Sequence, residues 1–431
     1  MRTITGQPPS ASSSRIATAS IVGTTLEYFD FAVYNTLAAL IFNRLFFPSF
    51  DPLSGTLLAF STFAIGYLSR PLGGLIFGHL GDRFGRRFVL VATLMLMGIT
   101  TALMGMLPTY AVAGVASPVM LVILRFVQGA ALGGEWAGAV LLSVEHGDQR
   151  RRGRNGSWAQ MGPSLGTLLA TGSIALLTAV LSPDAFLEWG WRIPFFASLV
   201  LVGFGLWIRI GVEETPQFRQ LEQQQTKARA PLGEVFRLHW RSLLRGCGVR
   251  IGPDVQYSLI AAFSLSYLTT VLGLSRTLAL VALSVGGACN AISIPLFGGL
   301  SDRLGRRRVY AMGVVLALLW ICVLFPLLNT KSSLLIVLTI SAGLVIHAVM
   351  YGPQAAFITE QFPARVRYAG SSLAYTLAGI VGGGIAPLMF TALLRAYGTT
   401  LPVVAYTAVA LAVTAVVLLL TRDKQGTTES V

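Results

Sequence analysis

Residues 78–87 read GHLGDRFGRR, and residues 298–307 read GGLSDRLGRR. The two segments carry glycine, leucine, aspartate and arginine at matching places, and each one joins two long apolar stretches. A motif of this length that recurs along a chain indicates that the second half repeats the first. The 431 residues are therefore expected to form two similar units.

The apolar stretches around the repeated segments decide the class of protein. Apolar residues make up 54% of the chain, mean hydropathy is +0.69, and charged residues are only 12%, against roughly 25% in soluble proteins. A soluble protein of this size would need more charged residues to cover its surface. Most of the surface of this chain must therefore face lipid. This composition excludes a soluble enzyme, a nucleic-acid-binding protein and a disordered scaffold, despite the net charge of +14.

A transmembrane helix needs about 20 mostly apolar residues, and polar, proline or glycine residues separate twelve such stretches. The predicted spans, numbered one to twelve, are 16–42, 56–80, 88–107, 118–145, 154–182, 190–212, 241–273, 276–301, 309–328, 332–361, 366–395 and 399–421. The three cysteines lie in apolar stretches without ligand spacing, so we predict no disulfide and no metal site.

Basic residues concentrate in alternate loops between the predicted spans. One set of loops carries Arg83, Arg86, Arg87, Arg150, Arg151, Arg152, Arg154, Arg303, Arg306, Arg307, Arg308, Arg365 and Arg367, and the other carries Arg44, Arg192, Arg276, Lys331 and Arg395. The richer set marks the cytoplasmic side, which places both termini in the cytoplasm.

These spans predict an all-α membrane protein with twelve transmembrane helices in two six-helix bundles. The predicted units are a disordered cytoplasmic tail over 1–18, an N-terminal bundle over 19–212, a cytoplasmic connector over 213–240, a C-terminal bundle over 241–421 and a cytoplasmic tail over 422–431.

Several further motifs accompany the repeated segment. They are EYFDF at 27–31, RPLGG at 70–74, RFVQG at 125–129 continued by GGEW at 133–136, GWRIPF at 190–195 and ETPQF at 214–218. Together they resemble the major facilitator superfamily over nearly the whole chain, and within it the metabolite:proton symporter family. Members of that family take up dicarboxylates, tricarboxylates, shikimate-like acids, or proline and betaine. The resemblance implies a multi-pass transporter of the bacterial cytoplasmic membrane, powered by the proton gradient without a cofactor.

Charged residues inside spans must face a cavity or a partner, because an ionised side chain at the centre of a bilayer is costly. Glu27, Asp30 and Tyr34 lie on one face of span one. Two carboxyls one turn apart repel when both are ionised, so we expect at least one to hold a proton near neutral pH. Glu135 and Asp254 are the other predicted proton-coupling residues. Alternatively, Glu27 only neutralises an arginine on a neighbouring helix.

An arginine offers a planar set of donors for a substrate carboxylate. Arg250 is our first candidate; its spacing predicts a pair with Asp254 on the same helix, and Arg70 is the competing candidate. Arg125 could hold Glu27 or Asp30 in one state, or form a permanent salt bridge. The predicted substrate-binding residues are Arg125, Arg250, Gln128, Tyr34, Tyr257, Tyr351 and Tyr375. His347 is interpreted as a packed, hydrogen-bonded residue.

The repeated segments carry the predicted conformational latch. Its residues are Asp82, Arg83 and Arg86 in the first copy and Asp302, Arg303 and Arg306 in the second. Each aspartate can accept hydrogen bonds from the start of a neighbouring helix when the cytoplasmic side is closed. Alternatively, the arginines only fix the topology.

The predicted function is proton-coupled secondary active uptake of a mono-, di- or tricarboxylate by alternating access. Two alternatives stay open: proton symport of a zwitterion such as betaine or proline, and a membrane sensor that binds without transporting. The expected partners are the organic acid, protons and the lipid bilayer, with no nucleic acid, and a monomer is expected. No motif indicates an enzyme.

Overall fold

The computed structural model describes residues 13–49, 52–210 and 231–421. Helices make up nearly all of these ranges, and no strand occurs within them. The predicted tail over 422–431 lies outside the described residues, as do 1–12 of the first tail and 213–230 of the connector.

The first half contains six crossings of the membrane. Their helices are Ser13–Leu37 with the π-helical turn Ala38–Phe42 (span one), Pro52–Phe84 (two), Arg86–Met106 (three), Ala116–His146 (four), Arg152–Gln160 and Gly162–Val180 (five) and Ile193–Ile210 (six). The first helix begins inside the segment predicted as a tail. No proline or glycine interrupts residues 13–22, so the helix extends beyond the apolar stretch that the prediction used.

The second half also contains six crossings. Their helices are Trp240–Ser258 with the π-helical turns Leu259–Phe263 and Tyr267–Val271 (seven), Arg276–Leu304 (eight), Arg306–Asn329 (nine), Ser333–Thr359 (ten), Arg367–Gly379, the π-helix Ile380–Ile385 and Ala386–Tyr397 (eleven) and Leu401–Leu420 (twelve).

Hydropathy separates two kinds of span. Within the described ranges, nine helices are long and apolar enough to cross a membrane, and they correspond to all predicted spans except one, two and seven. Those three carry Asp30, Arg70 and Arg250 respectively. The three least apolar spans therefore each bring charge into the interior of the protein, as span four also does with Arg125 and Glu135.

The connector is not polar throughout. Residues Pro231–Leu238 form a helix, and its Val235 is completely buried. This helix lies inside the connector predicted over 213–240, and its Leu232 and Val235, one turn apart, pack on the same buried cluster, as in an amphipathic helix.

Both repeated segments make hydrogen bonds between the two halves. Asp82 accepts from the backbone N–H of Ala369 at 3.0 Å, and Asp302 accepts from the backbone N–H of Gly153 at 2.8 Å. Both donors stand in the first turn of a helix, where backbone N–H groups lack partners in their own helix. The halves are therefore in contact on the predicted cytoplasmic side, with each aspartate in the geometry expected of a latch.

The arginines of the two segments differ in their surroundings. Arg306 is buried, donates twice to the carboxylate of Glu360 at 2.8 Å and donates to Asp302 at 3.0 Å. The other latch candidates are Arg83 and Arg303, which are exposed, and Arg86, whose side chain lies outside the described part. The latch role of all these arginines stays a prediction.

Spans two and four pack backbone against backbone. A Cβ at Gly133 would lie 2.0 Å from the carbonyl oxygen of Arg70, and one at Gly129 would lie 2.2 Å from that of Gly66. Small residues allow such close packing of helices. This contact fixes the position of Arg70 relative to span four.

Gly133→Ala is expected to destabilise the protein by about 1–3 kcal/mol, because the added methyl group forces spans two and four apart. The measurement is the thermal unfolding midpoint in detergent. Gly172→Ala is the matched control, because a Cβ there meets no atom within 4 Å. An equal midpoint for both variants would contradict the predicted contact.

Candidate functional site

A cavity of about 70 Å³ lies between the two halves, about five times the space that one water molecule needs. The first half contributes Tyr28, Tyr67, Arg70, Pro163 and Ser164 to its wall, and the second half contributes Arg250, Asp254, Tyr257, Ser258, Asn290, His347, Tyr351, Tyr375 and Gly383. A small cavity with charged, hydroxyl and aromatic groups from both halves suits a small polar molecule.

Arg250 is already bonded within the protein. Its Nε donates to Asp254 at 2.7 Å, which is the pair that the spacing predicted. Its Nη1 donates to the backbone carbonyl of Tyr375 at 2.6 Å, and its guanidinium carbon lies 3.0 Å from the centre of the Tyr375 ring. A ligand would therefore have to share Arg250 with these partners.

Arg70 has no such partners. Only 4% of it is exposed, and its Nε and Nη2 have no hydrogen-bond partner among the described residues. Its guanidinium carbon lies 3.8 Å from the ring centre of Tyr67 and 4.5 Å from that of Phe31. Stacking on aromatic rings offsets part of the cost of burying the charge. Arg70 therefore borders the cavity, and two of its buried donors have no hydrogen-bond partner in the described part of the chain.

Three tyrosine hydroxyls meet at one end of the cavity. The Tyr375 hydroxyl lies 3.2 Å from those of both Tyr28 and Tyr351. On the other side, the Tyr375 ring stacks on Trp136 with 3.8 Å between ring centres. Tyr28 and Trp136 belong to the first half and Tyr375 and Tyr351 to the second, so this aromatic group joins the halves at the cavity wall.

The proton of the neutral His347 ring can be placed from its neighbours. Asn290 Nδ2 bonds to the backbone carbonyl of Leu344 at 2.6 Å, and a carbonyl can only accept, so the orientation of the Asn290 amide is fixed. The same nitrogen lies 3.2 Å from His347 Nδ1, which must therefore accept. The proton lies on Nε2, and His347 makes no second hydrogen bond among the described residues. His347 is thus packed and hydrogen-bonded, as the sequence indicated, but it also borders the cavity.

Arg125, Gln128 and Tyr34 do not border the cavity. Arg125 is completely buried within the first half, where it donates to Gln128 at 2.6 Å and to Asn35 at 2.8 Å. Its guanidinium carbon lies 4.1 Å from the Phe31 ring, the ring that Arg70 also contacts. These predicted substrate-binding residues form a second buried group, which shares the ring of Phe31 with Arg70 of the cavity wall.

The predicted proton-coupling residues occupy different places. Asp254 borders the cavity, whereas Asp30, Glu27 and Glu135 are buried away from its wall. Asp30 is 1% exposed and lies beside Thr101 and Ser198 of neighbouring spans.

Gln128 donates to Thr101 at 2.7 Å. Asp30 therefore stands next to the group that holds Arg125.

The sequence did not single out Tyr28, Tyr67 or Ser164, which line the cavity. Tyrosine and serine are common in membrane helices, so their presence alone is no signal. The position of Tyr67 one helical turn before Arg70 is a pattern that could have identified it.

Two family models match this chain. The one described as "Sugar (and other) transporter" matches residues 16–239, and the one described as "Major Facilitator Superfamily" matches residues 254–430. Between them they cover both halves of the repeat.

Relatives and solved structures agree with these matches. The chain is 41% identical to the shikimate transporter of Escherichia coli (strain K12) over 95% of each chain. It is 36% identical to the proline/betaine transporter of Salmonella typhimurium over 85% of this chain and 75% of that one. The structure of the proton:xylose symporter XylE superposes with a TM-score of 0.76 at 17% identity, covering 95% of this chain and 94% of that one. The chain therefore belongs to the major facilitator superfamily of membrane transporters.

Proposed function

We propose that this transporter takes up a small organic acid together with protons, across a bacterial cytoplasmic membrane and with both termini in the cytoplasm. The observation that carries the proposal is Arg70, a buried guanidinium on the cavity wall whose Nε and Nη2 have no hydrogen-bond partner among the described residues. A buried charge without a partner is costly. A substrate carboxylate would supply the missing partner and form charge-assisted hydrogen bonds.

The charge balance of the cavity favours an anion. The charged residues on its wall are Arg70, Arg250 and Asp254. Arg250 and Asp254 neutralise each other, which leaves one positive charge on Arg70. A monocarboxylate would make the loaded cavity neutral, whereas a di- or tricarboxylate would need bound protons or the release of Arg250 from Asp254.

The energetics of uptake favour coupling to protons. An anion that enters against an inside-negative potential loses about 2.3 kcal/mol per charge for every 100 mV. One proton that travels with a monocarboxylate cancels this cost. Asp30 is our candidate carrier, because it is a buried carboxyl in span one that lies beside Thr101, a member of the group that holds Arg125.

A zwitterion is the second candidate substrate, and one observation favours it. The cavity wall contains five tyrosines and the carboxylate of Asp254, a combination that can hold a quaternary ammonium group over aromatic rings. The relatives named as proline/betaine transporters add support. Arg70 would then bind the carboxylate of the zwitterion.

Uptake by proteoliposomes separates these candidates. Purified protein is supplied with radiolabelled shikimate, succinate, citrate, proline or glycine betaine under an inward proton gradient, with and without a proton ionophore. Ionophore-sensitive accumulation of an acid supports the proposal, and accumulation of betaine or proline alone would favour the second candidate. Binding without accumulation or counterflow of any of these compounds would contradict both.

His347→Phe is expected to raise the KM for the transported acid about tenfold, the effect of losing about 1.4 kcal/mol of hydrogen bonding. The phenyl ring keeps the stacking on Tyr351 but has no N–H for the substrate. His347→Gln is the matched variant, because it retains an N–H donor and should recover part of the affinity. A KM unchanged in His347→Phe would remove this residue from the substrate contacts.

A further inference from the structure

The helix Pro231–Leu238 lies across the junction of the two halves on the predicted cytoplasmic side. Its Val235 belongs to a buried cluster that includes Leu90 and Val140 from the first half and Ile358 from the second. On the same helix, Glu234 pairs with Arg365 at 2.6 Å. The inner face of this helix therefore contacts both halves in the arrangement that is closed on this side.

The outer face of the same region is apolar and uncovered. Phe236, Trp240 and Leu244 follow one another at intervals of four residues and are 51%, 47% and 60% exposed. Phe236 belongs to the connector helix, and Trp240 and Leu244 lie one turn apart on one side of the next helix, which His239 separates from it. The stripe runs from the connector helix into the first turns of span seven, which begins at Trp240.

A row of arginines accompanies this apolar stripe. Arg237, Arg241 and Arg245 each follow one of its members directly, and the guanidinium of Arg241 lies 5.3 Å from the Trp240 ring. Arg237 and Arg241 are exposed and Arg245 is half-buried. The nearby acid Glu234 is turned toward Arg365, so it does not neutralise the row.

An apolar stripe with tryptophan at the start of a transmembrane helix lies at the boundary between lipid tails and headgroups. Arginines beside it can extend their charged ends to the headgroups while their stems stay along the apolar surface. An acidic headgroup attracts each such arginine by about 1 kcal/mol, and a zwitterionic headgroup offers no net charge. The apolar stripe and the row of arginines together therefore favour acidic phospholipids.

We infer that Arg237, Arg241 and Arg245 form a binding site for acidic phospholipids, with Phe236, Trp240 and Leu244 inserted beside the headgroups. Because the inner face of the connector helix contacts both halves, bound lipid holds that helix in place and favours closure on the predicted cytoplasmic side. This site is separate from the cavity and does not depend on the identity of the substrate.

Quenching of Trp240 by brominated lipids tests the binding. The full-length protein is placed in phosphatidylcholine vesicles that contain a small, equal fraction of brominated phosphatidylglycerol or brominated phosphatidylcholine. Trp240→Phe defines the contribution of Trp240 to the fluorescence. Brominated phosphatidylglycerol is expected to be enriched at Trp240 at least about fivefold over brominated phosphatidylcholine, which corresponds to about 1 kcal/mol.

The variant Arg237→Gln/Arg241→Gln/Arg245→Gln should lose this preference, whereas Arg395→Gln, an exposed arginine near the other end of the spans, should keep it. Equal quenching by the two lipids in the unsubstituted protein would overturn the proposed site. A preference for phosphatidylglycerol that persists in the triple variant would also overturn the proposed site.

A distance measurement tests the effect on closure. Spin labels are attached at positions 84 and 304, which are exposed at matching places of the two repeated segments, in a protein whose native cysteines are replaced by serine. Adding phosphatidylglycerol should increase the population with the shorter distance, and the triple arginine variant should not respond. A distance distribution that ignores the lipid in the unsubstituted protein would overturn the coupling to closure.

Discussion

Arg70→Gln is expected to raise the dissociation constant for the transported acid at least about thirtyfold and to abolish measurable uptake. Removing one partner of a buried charge pair costs about 2 kcal/mol or more, and 1.4 kcal/mol corresponds to a factor of ten. Arg70 supplies the uncompensated positive charge of the cavity. Glutamine keeps much of the volume but offers neither the charge nor the paired donors.

Equilibrium binding of the radiolabelled acid to purified protein gives this dissociation constant directly. Arg70→Lys is the informative companion variant, because it keeps the charge and loses the planar donor set. Its affinity for the acid should lie between those of the unsubstituted protein and Arg70→Gln. Equal thermal midpoints of the three proteins would show that the fold is intact. Affinity unchanged in Arg70→Gln would exclude Arg70 as the carboxylate receptor.

Arg250 requires a different experiment, because replacing it with a neutral residue has two consequences. Arg250→Gln removes a donor from the cavity and also leaves Asp254 without its ion pair. The double variant Arg250→Gln/Asp254→Asn removes both charges and therefore leaves no unpaired group behind. Binding that is lost in the single variant and recovered in the double variant would assign Arg250 the role of holding Asp254.

The fold was predictable because it depends on features that are local in the sequence. Apolar length defines the spans, and the repeated segments define the two halves. The latch geometry followed from the same segments, since Asp82 and Asp302 occupy matching positions and bond to helix starts in opposite halves. The Arg250–Asp254 pair followed from helical spacing alone.

The site was less predictable because it depends on contacts between distant spans. The sequence favoured Arg250 over Arg70, but it could not reveal that Tyr375 and Asp254 already occupy Arg250. Arg125 is an intramembrane arginine like Arg70, yet it is bonded to Gln128 and Asn35 and does not border the cavity. The helix Pro231–Leu238 was missed because eight residues are too few for an apolar period to stand out.

Asp30→Asn is expected to abolish proton-driven accumulation while leaving exchange of the acid across the membrane intact. Asparagine has nearly the same shape as aspartic acid but cannot release or bind the coupled proton. Exchange should persist because Asp30 does not border the cavity. Without the proton, a monocarboxylate faces about 2.3 kcal/mol at 100 mV, inside negative, so its accumulation at equilibrium should fall about fiftyfold.

Two assays on the same proteoliposomes separate these effects. Counterflow measures exchange without a gradient, and uptake under a proton gradient measures accumulation. Asp184→Asn is the matched control, because Asp184 is exposed in the connection between spans five and six, and it should behave like the unsubstituted protein in both assays. If Asp30→Asn accumulated the acid normally and in an ionophore-sensitive way, the proton would have to be carried by another carboxyl. Asp254 would then be the first to examine, because it borders the cavity and its bond to Arg250 offers a second means of linking a proton to the substrate.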